Sequence, residues 1–134
     1  MMQTAKGTFT VSMKPESEGQ MMGGLSLGRF TNEKVFSGDL EGNSRGTMLT
    51  VMTTVEGSAG YVLVERVEGV LGGKRGSFAL QHSSTVERGA QKQSIIVVPD
   101  SADGELVGLS GSMVVDISST SHGYVFNYSL PGDQ

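Results

Sequence analysis

The chain has 134 residues, 20 of them glycine and none cysteine, and its formal net charge is −4. Without cysteine it has no disulfide framework, thiol nucleophile or cysteine-based zinc site. The acidic balance and an aromatic content of 6% argue against nucleic-acid binding, which needs a basic surface and stacking platforms. No apolar run reaches the length of a membrane span, and the N-terminal residues lack a signal-peptide core. We therefore expect one cytoplasmic domain over residues 1–134, without membrane contact.

Valine, threonine and serine are frequent between the glycines, and no stretch of a dozen residues carries an apolar stripe at helical spacing. Such usage favours short strands joined by tight turns. An all-β chain is predicted.

The N-terminal third is predicted to begin with one clear strand. In residues 4–14 apolar and polar side chains alternate, as in a strand with one buried face. Residues 15–24 are bounded by proline and glycine and are predicted to be a flexible loop or a cap over one end of the domain. Residues 25–40 are strand-like on both sides of residues 31–33. Those three residues suit either a hairpin or a bend, so the total stays at eight or nine strands.

The middle of the chain is predicted to contain a turn, a strand and a hairpin. Residues 42–46 read Gly-Asn-Ser-Arg-Gly, which predicts a turn, and the alternating residues 47–56 predict a strand. Two further alternating runs, residues 60–71 and 77–87, flank the glycine-rich residues 72–76. This pattern is typical of a β-hairpin.

The turn of this hairpin determines which side chains meet. A two-residue turn at Gly73-Lys74, or a four-residue loop over residues 72–75, places Glu65 opposite His82. Because side chains alternate along a strand, one face then points inward. The predicted inward face consists of Tyr61, Leu63, Glu65, Val67, Leu71, Phe78, Leu80 and His82.

The strand after the hairpin is predicted to be short. Residues 87–90 suit a turn, and residues 94–99 read Ser-Ile-Ile-Val-Val-Pro. Four consecutive branched apolar residues predict a strand buried on both faces.

The C-terminal part is predicted to form a second long hairpin from residues 105–117 and 122–130, joined by the loop 118–121. The expected opposite pairs are Val115 with Tyr124 and Met113 with Phe126.

The long strands and short turns favour a closed antiparallel β-barrel of eight or nine strands, because closure leaves no sheet edge exposed. A barrel of about eight strands has an interior that side chains fill or that holds one small ligand. A two-sheet sandwich is the alternative.

Seven motifs follow one another along nearly the whole chain: Lys34-x-Phe36-x-Gly38-x-Leu40, Gly57-Ser-Ala-Gly-Tyr-Val62, Glu65-Arg66-x-x-Gly69-x-Leu71, Gly76-Ser-Phe-x-Leu-Gln-His82, Val97-Val-Pro99, Gly104-Glu-Leu-x-Gly-Leu109 and His122-x-Tyr124. Together they resemble a family of small bacterial proteins of unknown function, assigned to the allene oxide cyclase-like barrel class. The resemblance implies that fold class, with Ser84 and Ala102 at positions where the family pattern has glycine. The motifs of allene oxide cyclases themselves are not matched, so no catalytic residue is carried over from them.

The sharpest chemical feature is the pair of Glu65 and His82 on the predicted inward face. Burial favours the neutral form of each group, whereas their mutual attraction favours the ion pair. Such a pair either fixes the register of the strands or exchanges a proton with a bound molecule. Both interpretations stay open, and we name Glu65 and His82 as hypothetical catalytic residues.

Further interior residues are predicted to bind a ligand. Tyr61 and His122 offer polar groups, although a core tyrosine and a solvated turn histidine are the alternatives. The types of Glu65, His82 and His122 would suit a metal, but no spacing supports one, so neither metal nor cofactor is expected. The predicted ligand-binding residues are Tyr61, Leu63, Phe78, Leu80, Met113, His122 and Tyr124.

Three functions fit these features. The first is a barrel that binds a small, mostly apolar molecule near the Glu65–His82 pair. The second is a cofactor-free isomerase, cyclase or lyase in which those two residues act as acid and base. The third is a structural protein with a filled barrel.

The outward face of the hairpin over residues 60–87 carries Val62, Val64 and Val70 among polar residues. We therefore expect a homo-oligomer, most simply a dimer.

Overall fold

A computed structural model of the protein describes residues 2–117 and 122–132. All its regular secondary structure is β, which the alternating sequence and the frequent valine and threonine favour. The ten strands are β1 (Gln3–Pro15), β2 (Gln20–Met22), β3 (Leu25–Gly38), β4 (Leu40–Met52), β5 (Ala59–Leu71), β6 (Lys74–Glu87), β7 (Ala90–Val97), β8 (Asp103–Gly104), β9 (Ser110–Asp116) and β10 (His122–Ser129).

Eight of the strands close into an antiparallel barrel. The order around it is β1-β10-β9-β7-β6-β5-β4-β3, and β3 pairs with β1 to complete the ring. The two short strands are additions, since β2 pairs only with the start of β3 and β8 with the start of β6. The predicted closed antiparallel barrel is confirmed, and the sandwich is not formed.

The first part of the chain differs from its predicted segmentation. The predicted turn at residues 42–46 is wrong, because β4 runs straight through it and the chain reverses at Gly38, whose φ is 109°. Residues 31–33 likewise form neither hairpin nor bend but the middle of β3. Gly42 has a packing reason instead: a Cβ there would lie 2.1 Å from the carbonyl oxygen of Glu68 on β5. The residues predicted to be a loop, 15–24, include the short strand β2.

The central hairpin has a different register from the one predicted. Its turn is Gly72-Gly73, with φ values of 56° and 85°, as a two-residue turn with two left-handed positions requires. Pairing is therefore shifted by two residues: Glu65 lies opposite Leu80, and His82 lies opposite Leu63. The predicted direct opposition of Glu65 and His82 is wrong. A shift of two residues keeps every side chain on its own face, so both still point inward.

The strand β7 has one buried face, contrary to the prediction of two. Ile95 and Val97 are buried, whereas Ile96 between them is exposed. Such alternation is the ordinary pattern of a strand whose outer face meets solvent.

The C-terminal hairpin is paired as predicted: Val115 lies opposite Tyr124 and Met113 opposite Phe126. Its first strand is shorter than predicted, because residues 105–108 form turns that bury Leu106 before β9 begins. The predicted loop at residues 118–121 lies outside the described residues.

One half of the barrel interior is a close-packed apolar core. The ring of Phe126 stacks against Phe78 at 5.8 Å and against Tyr128 at 5.3 Å between centroids. Aliphatic side chains, among them Leu71 and Leu106, fill the space around these rings. The described part of the chain contains no helix long and apolar enough to cross a membrane.

Candidate functional site

A buried polar cluster lies inside the barrel beside the apolar core. Four neighbouring strands each contribute one inward-pointing side chain: Lys34 from β3, Ser44 from β4, Glu65 from β5 and His82 from β6. The Nζ atom of Lys34 lies 2.7 Å from Oε2 of Glu65, and Ser44 Oγ donates a hydrogen bond of 2.5 Å to Oε1. Glu65 is therefore the centre of the cluster.

His82 also touches the carboxylate of Glu65. Its Nε2 atom is in contact with Oε2 of Glu65, although it makes no hydrogen bond of regular geometry among the described residues. The two side chains therefore meet in direct contact. The predicted proximity of Glu65 and His82 is present, but across a diagonal of the ladder rather than between opposite residues.

The strand register explains why these groups meet. Lys34 lies directly opposite Ser44, and Gly46 lies directly opposite Glu65. A Cβ at Gly46 would lie 2.2 Å from the carbonyl oxygen of Val64 and 2.8 Å from Cβ of Glu65, so only glycine lets β4 and β5 approach this closely beside the carboxylate side chain. Gly46 and the alternation of side chains along β3 together bring Lys34 and Glu65 side by side.

The cluster holds Glu65 in its charged form. Burial by itself would raise the pKa of this carboxyl group, but the contact with His82 and the positive charge of Lys34 outweigh it and lower the pKa to about 2. Three protein side chains contact the two oxygens of this carboxylate, so most of its capacity to accept hydrogen bonds is used. Lys34 and Ser44, rather than Tyr61 or a ligand, supply most of the hydrogen bonds that Glu65 accepts.

An aromatic contact extends the cluster to the opposite wall of the barrel. The Nζ atom of Lys34 lies 5.7 Å from the centroid of the Phe9 ring, within the range of a cation–π contact. The Phe9 ring lies 5.4 Å from the ring of His122 on β10. His122, predicted from its position in the last strand, therefore belongs to the same interior region as Glu65 and His82.

Besides His82 Nε2, two buried polar atoms in this region have no hydrogen-bond partner among the described residues. They are Oδ1 of Asn32 on β3 and Nδ1 of His122. Asn32 is 2% exposed, and its backbone lies opposite Gly46, the glycine beside Glu65. Native proteins rarely leave such atoms without a partner, so each needs a hydrogen bond from outside the described chain.

Apolar side chains that point inward reach solvent at the end of the barrel above the cluster, here called the open end. Val11 and Met13 have the inward orientation of Ala5 and Phe9 on the same strand, yet they are 37% and 45% exposed. Phe30, which pairs with Pro15 at this end, is half-buried. Inward-pointing apolar side chains that reach solvent mark the mouth of a barrel rather than its filled part.

Tyr61 lies farther toward the same end, directly opposite Ser84. Its side chain is half-buried, and burial raises the pKa of its phenol; the charge of Glu65 adds to this rise, whereas the Ser84 hydroxyl opposes it. Tyr61 is thus within electrostatic reach of the cluster without touching it.

The other predicted ligand-binding residues lie deeper. Tyr124 is buried, and its hydroxyl accepts a hydrogen bond from the Leu40 amide at 2.9 Å and lies 3.0 Å from the Ser37 carbonyl, to which it donates. That hydroxyl therefore stabilises the strand reversal at Gly38 and does not face the open end of the barrel. The remaining four are fully buried within the barrel: Leu63, Phe78, Leu80 and Met113.

Sequence reasoning did not identify three members of the region: Asn32, Lys34 and Ser44. Asn32, Lys34 and Phe36 follow one another at intervals of two residues, which places all three on one face of β3. This spacing could have predicted from the sequence that Asn32 and Lys34 point inward. Ser44 was hidden because the surrounding glycines predicted a turn.

Two grooves also cross the outer surface of the barrel. One, of about 630 Å³, passes across β3 to β6 and is lined by exposed apolar side chains that include Leu49 and Val62. The other, of about 530 Å³, crosses β1, β3, β4 and β5 among charged residues such as Arg45 and Glu68. Neither lining includes Glu65 or His82, whereas the second includes Lys34 and Ser44 of the cluster. Within the described residues no three acidic or histidine side chains are grouped to hold a metal ion.

The fold and the site define a small closed antiparallel β-barrel with a buried lysine–glutamate–histidine cluster below an open end. The chain belongs to the DUF3224 family, proteins of unknown function, whose family model matches residues 5–128. It is similar to the crystal structure of a protein with unknown function from the DUF3224 family from Shewanella oneidensis MR-1, with 43% identity over 97% of this chain and 98% of that chain and a TM-score of 0.93. The comparison with curated proteins gives no match.

Proposed function

We propose that the protein binds a small, mostly apolar molecule in the open end of the barrel, next to the Glu65–His82 contact. The observation that carries this proposal is the pair of unpartnered buried atoms, Asn32 Oδ1 and His122 Nδ1, in the region of the cluster. A buried polar atom without a hydrogen bond costs about 1–3 kcal/mol of stability, and a bound molecule with polar groups recovers that loss.

The open end supplies the apolar part of such a site. Val11, Met13 and Phe30 present carbon surface there, and Tyr61 adds an amphipathic ring farther along. Small-molecule sites combine mostly apolar walls with a few convergent polar groups, which is the arrangement at this end of the barrel.

The catalytic alternative, an isomerase, cyclase or lyase without a cofactor, has less support. A general base works best when its pKa lies near the pH at which it operates. The pKa of Glu65 is lowered to about 2, so its carboxylate is a weak base at neutral pH. The catalytic roles of Glu65 and His82, and membership of the allene oxide cyclase-like class, stay predictions.

A fluorescence titration with N-phenyl-1-naphthylamine, a neutral apolar probe, tests binding. We expect saturable binding of one probe per chain, with NMR shifts at the backbone amides of Asn32, Tyr61 and His122. Asn32→Leu should weaken binding by about tenfold, since it removes one hydrogen bond worth about 1.4 kcal/mol. Asn43→Leu, the same change at an exposed position of β4, is the matched control and should bind normally.

Two results would overturn the proposal. One is the absence of saturable binding by the wild-type protein. The other is a set of NMR shifts confined to Leu49 and Val62, which would assign the probe to the outer apolar groove instead.

A further inference from the structure

The ammonium group of Lys34 has hydrogen-bonding capacity that the described protein does not use. It carries three N–H donors. One points to Oε2 of Glu65 at 2.7 Å, and the face of Phe9 lies 5.7 Å away. No second oxygen accepts from Lys34 in the described ranges 2–117 and 122–132, so two donors are available inside the barrel.

Asn32, beside Lys34, provides a hydrogen-bond acceptor that complements these donors. The two side chains stand two residues apart on the same face of β3, and Asn32 Oδ1 has no partner within the described structure. The residue opposite Asn32 on β4 is Gly46, which has no side chain to cover the amide. An acceptor and two donors are therefore adjacent.

Glu65 is not the group that a ligand would meet. Its Oε1 accepts from Ser44, and its Oε2 is in contact with both Lys34 and His82. The polar end of a bound molecule would therefore contact Lys34 and Asn32 and leave the carboxylate undisturbed.

The charges in the cluster select the type of ligand. Lys34 and Glu65 already neutralise each other, so a ligand carboxylate would be a second buried anion without a cation of its own. Taking that second anion out of water is costly, because the one buried lysine is already shared with Glu65. A neutral polar group avoids that penalty.

We propose that the ligand is a neutral molecule with an apolar tail and a head that both accepts and donates hydrogen bonds, as a primary carboxamide does. The carbonyl oxygen of the head accepts from Lys34 Nζ, and its NH₂ group donates to Asn32 Oδ1. A carboxamide fits either orientation of the Asn32 side-chain amide, because it offers both kinds of partner. The tail extends toward Val11 and Met13. This inference rests on the proposed function, whose site it shares.

A titration of the wild-type protein with octanamide and with octanoate, followed by NMR at pH 8, tests the inference. The two molecules have the same length and differ in the charge of the head. We expect octanamide to bind at least tenfold more tightly than octanoate. Asn32→Leu should reduce the affinity for octanamide about tenfold, whereas Asn43→Leu should not change it.

The outcomes separate the two proposals. Tighter binding of octanoate, or equal binding of the two, overturns the neutral-head inference and leaves a small-molecule site in place. Binding of neither molecule, together with no binding of N-phenyl-1-naphthylamine, overturns the proposed function and this inference with it. If the naphthylamine binds and octanamide does not, the carboxamide head is wrong and the apolar site stands.

Discussion

Lys34 and Glu65 meet inside the barrel with 2.7 Å between Nζ and Oε2, although they lie 31 residues apart in the chain. Removing one member of a buried ion pair leaves the other charge without compensation, which typically costs about 3–5 kcal/mol. We therefore expect Lys34→Met to lower the free energy of unfolding by about that amount. The double variant Lys34→Met/Glu65→Gln should recover part of the loss, because it buries no unpaired charge.

Urea unfolding at pH 7 measures both variants. Arg66→Met is the matched control, since Arg66 forms an exposed pair with Glu68, and such surface pairs contribute about 0–1 kcal/mol. Equal effects of Lys34→Met and Arg66→Met would show that the buried pair contributes little.

Glu65 should make the protein sensitive to acid. Its pKa is about 2 in the folded protein, below its ordinary value of 4.5. A group whose pKa is lowered by folding stabilises the protein above the unfolded pKa, and this contribution is lost as the pH falls through the folded pKa. The contribution is on the order of 3 kcal/mol, present above about pH 4.5 and lost toward pH 2.

Unfolding measured from pH 6 down to pH 2 checks this expectation. Glu65→Gln should show a smaller decrease in stability over that interval than the wild-type protein, whereas the exposed control Glu68→Gln should follow the wild type. An undiminished acid dependence in Glu65→Gln would assign the effect to other carboxylates.

The hydroxyl of Tyr124 should be a local stabilising group. It accepts from the Leu40 amide at 2.9 Å and donates at the strand reversal after Gly38. Tyr124→Phe removes these bonds and leaves a buried amide without its partner, so we expect a loss of about 1–3 kcal/mol. Thermal unfolding measures it, with Tyr61→Phe as a control at a half-buried position. A Tyr124→Phe variant as stable as the wild type would contradict the assignment.

Self-association stays a prediction, and the outer apolar groove is the surface that we expect to form the interface. Leu49 and Val62 lie opposite each other on β4 and β5 and are 50% and 47% exposed, and Val64 follows on the same face. Light scattering at micromolar concentration should give the mass of two chains, and Val62→Lys should give the mass of one, because a lysine there would be desolvated in the interface. Val114→Lys, on an exposed position of β9, is the control. A wild-type mass of one chain at all concentrations would count against the dimer.

The sequence by itself determined the fold class and the faces of the strands. Alternation with period two and the frequent turn glycines predicted an antiparallel barrel, and the inward face of the central hairpin is the predicted one, with Glu65 and His82 buried in it. These features depend on local patterns, which the sequence displays directly.

Pairing between strands was decided only by the tertiary structure. The glycines around Ser44 predicted a turn, whereas their lack of a side chain serves close packing against β5. The two-residue shift at Gly72-Gly73 left each side chain on its own face but changed its neighbours, because alternation fixes the face and not the register. Lys34 became the partner of Glu65 for the same reason: β3 and β5 lie on opposite sides of β4, and no local pattern records which residues of such strands meet.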